Sequence, residues 1–293
     1  MSISVCLSFD FDAMSVWIAD TDNPATISRG EFGAVAIERI LALLDRRGAR
    51  ATFFVPGHTA LAYPFLVREI RDAGHEIGHH GWVHENPGQL TAAQEDDVFR
   101  RGLDALARVA EVVPVGYRSP AANFSTHTLD VLAENGVLYD TSCSGSDFHP
   151  YYLRLGDRWS KSGPYRFGTA IDLVEMPFSW SLDDFPHFEF EVGWSTEQSA
   201  PSTVLEIWRA EFEYAVANAA DGFFGLCMHP QVIGRGHRLT MLDRLLETME
   251  AAGATFEPLC DYARRWRESH PLSAWVAGES IHARAAREAL DEA

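Results

Sequence analysis

Short apolar runs alternate with longer segments of helical periodicity in the first part of the chain. Residues 3–9 are mostly apolar and end at polar positions, and residues 31–47 place apolar side chains at intervals of three and four. A second apolar run covers residues 51–55. A strand, a helix and a second strand in this order predict a parallel pair joined by a crossover helix.

The same alternation continues along the rest of the chain. Capping-box spacing at Ser28/Glu31 and Thr91/Gln94 supports two of the helix starts. Repeated β/α units indicate an α/β barrel, with a doubly wound sheet as the second choice. Further helices are predicted near residues 64–73, 91–112, 202–219 and 240–252, and further strands near residues 76–78, 115–118, 172–176 and 222–228. The glycines that directly follow helical runs are Gly48, Gly74, Gly136 and Gly253.

Neither a Pro/Gly/Ser-rich tract nor a run of like charge divides the chain, so we expect one domain over residues 1–293. Periodicity fades between about residues 142 and 200. This insert either covers a substrate, or is a surface excursion or an oligomer contact, and we expect a homo-oligomer. A helical tail is predicted over about residues 270–293, amphipathic from residue 279. The aromatic residues of the insert are Phe148, Tyr151, Tyr152, Trp159, Trp180, Phe185, Phe188 and Trp194.

Composition and charge limit the kinds of partner. A chain that is 46% hydrophobic and 23% charged has the composition of a globular protein with one large core. The formal charge of −18 repels phosphate backbones and anionic lipids, so we expect neither nucleic acid nor membrane as a partner. The N-terminal residues resemble neither a signal peptide nor a membrane span, which favours a cytoplasmic location. The four cysteines form no CxxC pair and are expected to be reduced, buried thiols.

Two acids follow the first predicted strand. Asp10 and Asp12 are separated by one residue, and side chains at such spacing point the same way on an extended backbone. The carboxyl ends of strands are where α/β enzymes place their chemistry. The pair therefore forms either one side of a site or a solvated acidic loop.

Four histidines lie within ten positions of the second predicted β/α unit, at His75, His79, His80 and His84. Two pairs have a spacing of four, which would bring both imidazoles of a pair to one face of a helical turn. The density predicts a metal site, but the spacing does not decide between the His75/His79 and His80/His84 pairs. Capping or core hydrogen bonding is the alternative role for these side chains.

One aspartate and two histidines would leave coordination positions for water, as in a catalytic rather than a structural metal site. A second carboxylate beside such a metal can accept a proton from the water. Two further groups follow predicted strands: Arg118, which could contact a carboxylate, and His229, a candidate general acid. A surface arginine and a structural histidine are the alternatives.

Together, four ordered motifs resemble those of the polysaccharide deacetylase (NodB-homology) family. The motifs are Ser8-Phe9-Asp10-Phe11-Asp12, His80-x3-His84 within Gly-His-Glu-Ile-Gly-x-His, Arg118-x-Pro120 and Leu226-x-x-His229. The likeness covers about residues 3–260. It resembles most a subgroup that includes peptidoglycan-deacetylase-like proteins and cytosolic enzymes that open allantoin or cyclic imides, some of which work without metal.

The resemblance implies a distorted (β/α) barrel and a role for each motif residue. Asp12, His80 and His84 would hold one divalent transition metal, with zinc expected first and cobalt, manganese or iron as alternatives. The resemblance makes Asp10 the general base, Arg118 the residue that orients it and His229 the acid that protonates the leaving nitrogen.

Three functional hypotheses follow. The first is a metal-dependent hydrolase of non-peptide carbon–nitrogen bonds that acts on a small cyclic imide, ureide or amide. It is favoured by N-terminal residues that do not resemble a signal peptide and by the aromatic insert, which could close over a compact substrate. Two departures from the family pattern, Phe11 between the acids and Ala121 where an aromatic residue usually follows Pro120, argue against the usual sugar-binding groove. The second is N-deacetylation of an oligomer or polysaccharide that contains N-acetylglucosamine. The third is a catalytically silent protein that keeps the metal and binds a sugar or a small amide.

Overall fold

A curled sheet of nine strands forms the centre of the fold, in a computed structural model that describes residues 3–190 and 198–291. The strands are β1 (Ser4–Asp10), β2 (Thr52–Val55), β3 (Glu76–His79), β4 (Gly116–Tyr117), β5 (Tyr139–Asp140), β6 (Tyr151–Leu155), β7 (Arg158–Ser160), β8 (Gly163–Arg166), β9 (Thr169–Glu175), β10 (Phe223–Met228) and β11 (Thr255–Phe256). Strands β7 and β8 form a separate two-stranded ribbon.

Helices surround this sheet and connect most of its strands. They are α1 (Ser15–Ile18), α2 (Pro24–Ile27), α3 (Glu31–Arg46), α4 (Gly57–Ala62), α5 (Pro64–Asp72), α6 (Ala92–Ala110), α7 (Thr128–Glu134), α8 (Phe185–Phe188), α9 (Pro201–Asn218), α10 (Pro230–Ile233), α11 (Gly236–Ala251), α12 (Leu259–Ser269), α13 (Leu272–Val276) and α14 (Ile281–Asp291). Within the described ranges, none of these helices is both long and apolar enough to cross a membrane.

The strand order is β10-β1-β2-β3-β4-β5-β9-β6, and β11 pairs with the start of β1. Neighbours in this order are parallel except β6 and β9, which are antiparallel. The carboxyl ends of all the parallel strands therefore meet at one end of the sheet. We call this the catalytic end, because the candidate residues from the sequence analysis lie there.

Side chains of β1 alternate between the two faces of the sheet. Val5, Leu7 and Phe9 pack against the helix layer, where α3 and α11 contribute apolar residues. Cys6 points to the opposite face, into a second cluster that α12 and α13 complete. Because alternate residues share a face, the even-numbered series that starts at Cys6 leads to Asp10 on the inner face of the sheet.

One of the two predicted capping boxes is confirmed and one is wrong, although α3 begins at Glu31 as predicted. Thr91 and Gln94 form a reciprocal capping box at the start of α6. Ser28 instead donates its hydroxyl hydrogen bond to the carbonyl of Ala25, and α3 starts at Glu31 without a side-chain cap. Ser28 already has helical φ and ψ values of −61° and −19°, in a 3-10 turn (Ser28–Gly30) that leads directly into α3, so it does not have the extended backbone of an N-cap residue. Gly30 lies close to Ala13, because a Cβ at residue 30 would lie 2.2 Å from the Ala13 oxygen.

The aromatic insert over residues 142–200 is more regular than its sequence indicates. It contains β6 to β9, in which β9 runs parallel to β5 and ends at the catalytic end. The β7/β8 ribbon precedes β9 and therefore lies toward the opposite end of the sheet, whereas residues 177–188 follow β9 at the catalytic end. Part of the insert can thus contact a substrate and part cannot; Trp194 lies outside the described residues.

The predicted helical tail is present as α13 and α14, and α14 buries Ala283 and Ala286 in the second cluster. The cysteines are free thiols, of which Cys6, Cys227 and Cys260 are buried and Cys143 is partly exposed. The expectation of reduced thiols without disulfides is therefore confirmed, and full burial holds for three of the four.

Candidate metal centre and active site

The six candidate residues lie at the catalytic end of the sheet. Asp10 ends β1 and Asp12 follows two residues later, while His80 follows β3 directly. Arg118 follows β4 and His229 follows β10. His84, the sixth, lies in the turn after His80. Four parallel strands that are far apart in sequence thus bring these side chains together.

Asp12, His80 and His84 form a group that fits a metal ion. Their potential ligand atoms lie within 4.8 Å of one another, and His80 Nε2 is 3.4 Å from Asp12 Oδ1. Both of these atoms are buried and have no hydrogen-bond partner among the described residues. Buried polar atoms are seldom left without a partner, so their convergence is an observation of this chain that favours a bound cation.

The tautomer of His80 follows from its second nitrogen. His80 Nδ1 lies 2.7 Å from the carbonyl oxygen of Arg118, which can only accept, so Nδ1 carries the hydrogen. Nε2 then presents a lone pair toward Asp12. Burial lowers the pKa of His80, which favours the neutral imidazole that a metal requires.

His84 reaches the site from a turn, so the prediction that both imidazoles share a helical face is wrong. Residues 81–84 form a turn after β3, and His84 has a φ of 60°. Glu85 stabilises this turn by accepting hydrogen bonds from the N–H groups of Trp82 and Val83, at 2.9 and 2.6 Å. The rings of His80 and His84 lie 5.1 Å apart, which the turn achieves without a helix.

His75 and His79 have structural roles. His79 Nε2 donates to the carbonyl of Phe99 over 2.9 Å, and its Nδ1 accepts from the N–H of Gly81. His75 Nδ1 accepts from the N–H of Ala51. Of the two equally spaced pairs, the structure brings His80 and His84 together with Asp12.

Asp12 is held by neighbours that sequence reasoning missed. Gln231 Nε2 donates to Asp12 Oδ2 over 3.2 Å, and the hydroxyls of Ser15 and Thr59 donate to the Asp12 carbonyl. Burial raises the pKa of Asp12 to about 8. A cation bound at Oδ1 would favour the ionised carboxylate, which agrees with a ligand role.

Asp10 is paired with the guanidinium of Arg118. Arg118 Nη1 donates to Asp10 Oδ1 over 2.7 Å. Although burial acts in the opposite direction, the charge of Arg118 lowers the pKa of Asp10. Arg118 in turn donates through Nε to the carbonyl of Thr141 and lies 4.5 Å over the ring of Phe54. These contacts keep Asp10 ionised at neutral pH, so its carboxylate can accept a proton.

His229 is oriented by Asp184, a residue that the sequence analysis did not identify. Its Nδ1 donates to Asp184 Oδ1 over 2.7 Å, so Nε2 points to the site, 3.9 Å from Asp10 Oδ2. Burial would lower the pKa of His229, but the carboxylates of Asp183 and Asp184 raise it well above its ordinary value. The adjacent acids in an aromatic segment were the available signal for this partner.

A cavity of about 300 Å³ adjoins these residues. Asp10, Arg118, His84 and His229 line one side of it, and Ala121 and Ala122 contribute left-handed backbone with φ values of 55° and 48°. Such strained backbone in non-glycine residues is concentrated at functional sites. The other walls are mostly apolar and include Val16, Trp17, Phe178, Trp180 and Phe185, with Asp20 and Asp183 as acids.

Comparisons with known proteins indicate the family of the chain. The profile of the family described as Polysaccharide deacetylase matches residues 22–139. The peptidoglycan deacetylase of Helicobacter pylori is 35% identical over 261 residues, which cover 84% of this chain and 89% of that protein.

Two solved structures have a fold similar to that of this chain. A putative polysaccharide deacetylase from Mycobacterium smegmatis is 35% identical with a TM-score of 0.80, over 91% of this chain and 90% of that one. The Puue allantoinase has a TM-score of 0.74 at 21% identity, over 92% and 91% of the two chains. The prediction of a distorted (β/α) barrel is confirmed, here as a curled half-barrel with surrounding helices.

Proposed function

Because the chain belongs to the polysaccharide deacetylase family, whose members hydrolyse carbon–nitrogen bonds of amides, we propose that it acts on a compact amide. Our first substrate class is a small cyclic imide or ureide. The observation that carries the proposal is the group of unpartnered ligand atoms on Asp12 and His80 beside the Asp10 and His229 side chains.

Asp12, His80 and His84 would hold the metal, which when bound supplies a Lewis acid that polarises a carbonyl and lowers the pKa of water. Asp10 accepts a proton from the attacking water, and Arg118 holds that carboxylate in place. His229 donates a proton from Nε2 to the leaving nitrogen while Asp184 holds Nδ1. The base and the acid approach the substrate from neighbouring strands, β1 and β10.

The size and lining of the cavity support a compact substrate. Ligand cavities commonly have volumes of about 300 to 1,000 Å³, and this one has about 300 Å³. Trp17, Phe178 and Trp180 offer apolar surfaces to a flat ring. Ala121 lines the cavity at the position where the family pattern has an aromatic residue, and its methyl group takes less space than a ring.

The test is a substrate panel with the purified, metal-loaded protein. Succinimide, hydantoin and allantoin represent cyclic imides and ureides, and N-acetylglucosamine and chito-oligosaccharides represent N-acetylated sugars. We expect ring opening of at least one cyclic compound and little acetate release from the oligomers. Turnover of N-acetylated sugars alone would reject the cyclic substrate class and leave amide hydrolysis in place.

N-Deacetylation of an N-acetylglucosamine polymer is the second candidate. It is favoured by the Helicobacter pylori relative, which is named a peptidoglycan deacetylase and aligns over most of both chains. The same four side chains would serve, because an acetamide also needs a base and a protonated leaving nitrogen. They are Asp10 and Arg118, and His229 and Asp184. The silent binding hypothesis has less support, because Asp10, His84, Arg118 and His229 line one cavity and the other two motif residues, Asp12 and His80, group with His84.

Metal identity and cellular setting complete the proposal. Two imidazoles and one carboxylate suit zinc, which we propose first, as well as cobalt, manganese and iron. We also propose a cytoplasmic location. A homo-oligomer is supported by the β7/β8 ribbon, where Trp159 and Tyr165 are 67% and 48% exposed, because an isolated two-stranded ribbon is marginally stable. A monomeric mass by light scattering would reject it.

A further inference from the structure

A second pair of buried acids, Asp140 and Glu175, lies next to the candidate site. The two residues are directly paired on the parallel strands β5 and β9, and both side chains are fully buried. Neither was singled out by the sequence, because each acid ends its strand without a recognisable motif. A pair of adjacent carboxyl groups this deep requires a physical explanation.

The pair binds the backbone of the loop that follows β5. Glu175 Oε1 accepts from the N–H groups of Ser142 and Cys143, at 3.1 and 2.9 Å. Asp140 accepts from the N–H and the hydroxyl of Ser142, both at 2.9 Å. The other oxygen, Glu175 Oε2, is buried, and no N–H or O–H group of the described residues bonds to it.

Asp140 Oδ2 and Glu175 Oε1 both accept from the N–H of Ser142, which brings the two carboxyl groups together, and one oxygen of each acid lies within 4.8 Å of the other. A hydrogen bond between the two groups requires one proton, because two carboxylates cannot donate. Burial raises the pKa of Asp140 to about 6, and burial together with Asp140 raises that of Glu175 well above its usual range. Like charges this close in a buried site cannot both ionise at low cost.

Other ionisable groups near the pair do not remove this requirement. The Cys143 thiol and the Tyr151 hydroxyl on β6 have pKa values that burial raises, so both stay neutral. The charge of Arg118, which follows β4, lowers the pKa of Asp140 and favours one ionised carboxylate. One positive neighbour for two acids therefore leaves one proton in the pair.

The loop held by the pair also holds Arg118. The Thr141 carbonyl and hydroxyl accept from Arg118 Nε and Nη2, at 3.1 and 3.3 Å. Ser142 Oγ, which donates to Asp140, accepts from the N–H of Ser119 over 2.9 Å. Residues 141 and 142, which the acid pair orients, thus hold both the Arg118 side chain and the N–H of the next residue, Ser119.

We propose that Asp140 and Glu175 share one proton and act as positioning residues that aim Arg118 at Asp10 through the loop of residues 141 and 142. The positioning part rests on the proposed function, because it assigns Asp10 as the base. The shared proton does not depend on any substrate. Loss of the proton would place two charges side by side, and a second proton would weaken the acceptors of the loop N–H groups.

Infrared spectroscopy tests the shared proton. Metal-loaded wild-type protein at pH 7 should show the carbonyl stretch of a buried protonated carboxyl, and Glu175→Gln should lose this band, because an amide replaces the acid group. Asp172→Asn, an exposed acid on the same strand, is the matched control and should keep the band. Absence of the band in wild type, or its presence unchanged in Glu175→Gln, would overturn the proposal.

Kinetics test the positioning role. Glu175→Gln can donate to Asp140 and accept from the loop, so kcat should stay within about threefold of wild type, whereas Glu175→Ala should lose about tenfold or more in kcat with KM little changed. Equal kcat in all three proteins would overturn positioning. If Glu175→Ala does not fold, Asp140→Asn replaces it with the same expected direction.

Two outcomes separate this inference from its alternatives. A wild type that hydrolyses no amide, yet shows the band and loses it in Glu175→Gln, would reject the proposed function and support the shared proton. A second metal ion per chain that is lost in Glu175→Gln but kept in His84→Ala would overturn the shared proton, because Asp140, Cys143 and Glu175 would then bind a cation.

Discussion

Replacing Asp10 with asparagine is expected to lower kcat by about 10²- to 10⁴-fold, the usual contribution of a general base. Asparagine keeps the shape of the side chain and can still accept from Arg118 Nη1, which donates to Asp10 in the wild type. It cannot take up the proton of the attacking water. Steady-state kinetics on whichever panel substrate the wild type hydrolyses, with metal content measured in parallel, check this result.

The matched control for Asp10→Asn is Asp104→Asn, which removes an exposed acid on α6 and should leave kcat unchanged. Metal content should be equal in wild type, Asp10→Asn and Asp104→Asn, because Asp12, His80 and His84 are intact in each. A fall of less than tenfold in Asp10→Asn would contradict its role as the base.

The second large effect is expected for His229→Ala, and it should depend on the substrate. On an N-acetylated sugar the leaving nitrogen needs a proton, so kcat/KM should fall by about 10²-fold or more. On a cyclic imide the leaving nitrogen is already stabilised, and the loss should be at least about tenfold smaller. Parallel kcat/KM measurements on the two substrate classes check the difference.

His237→Ala is the control for this comparison, since His237 is exposed on α11. Asp184→Asn should repeat the pattern of His229→Ala with smaller losses, because Asp184 holds Nδ1 of that ring. Equal losses on both substrate classes would contradict the assignment of His229 as the proton donor to nitrogen.

Local pattern was sufficient to predict most of the fold. The apolar run that became β1 and the capping box at Thr91 depend on neighbouring residues, and both are present in the structure. Ser28 and Glu31 have the same spacing as that capping box but do not form one, because Ser28 already lies in a helical turn that leads into α3. Spacing alone does not show whether the first residue has the extended backbone of an N-cap.

The site could be predicted in part for the same reason. Asp10, His80 and Arg118 end or follow strands whose direction the β/α pattern indicates, so their meeting was foreseeable. Gln231 and Asp184 act through partners 219 and 45 residues away in sequence, and no spacing rule describes such contacts. The turn that carries His84 was missed because helical spacing alone cannot distinguish it from a helix.

Composition alone could not predict which part of the aromatic insert lies at the cavity. Its two interpretations, a substrate cover and a surface contact, each fit a different part of it. Phe178 and Trp180 line the cavity, whereas Trp159 and Tyr165 lie on the ribbon that precedes β9. Only the direction of β9 separates the two parts, and strand direction is a property of the whole sheet.

The most direct test of the central claim is the metal content of purified, unchelated protein and of His80→Ala and His84→Ala, with His237→Ala as the control. If Asp12, His80 and His84 form the metal site, wild type and control should contain about one transition metal ion per chain, and both site variants should lose it. A metal content that is unchanged in His80→Ala and His84→Ala would contradict the account.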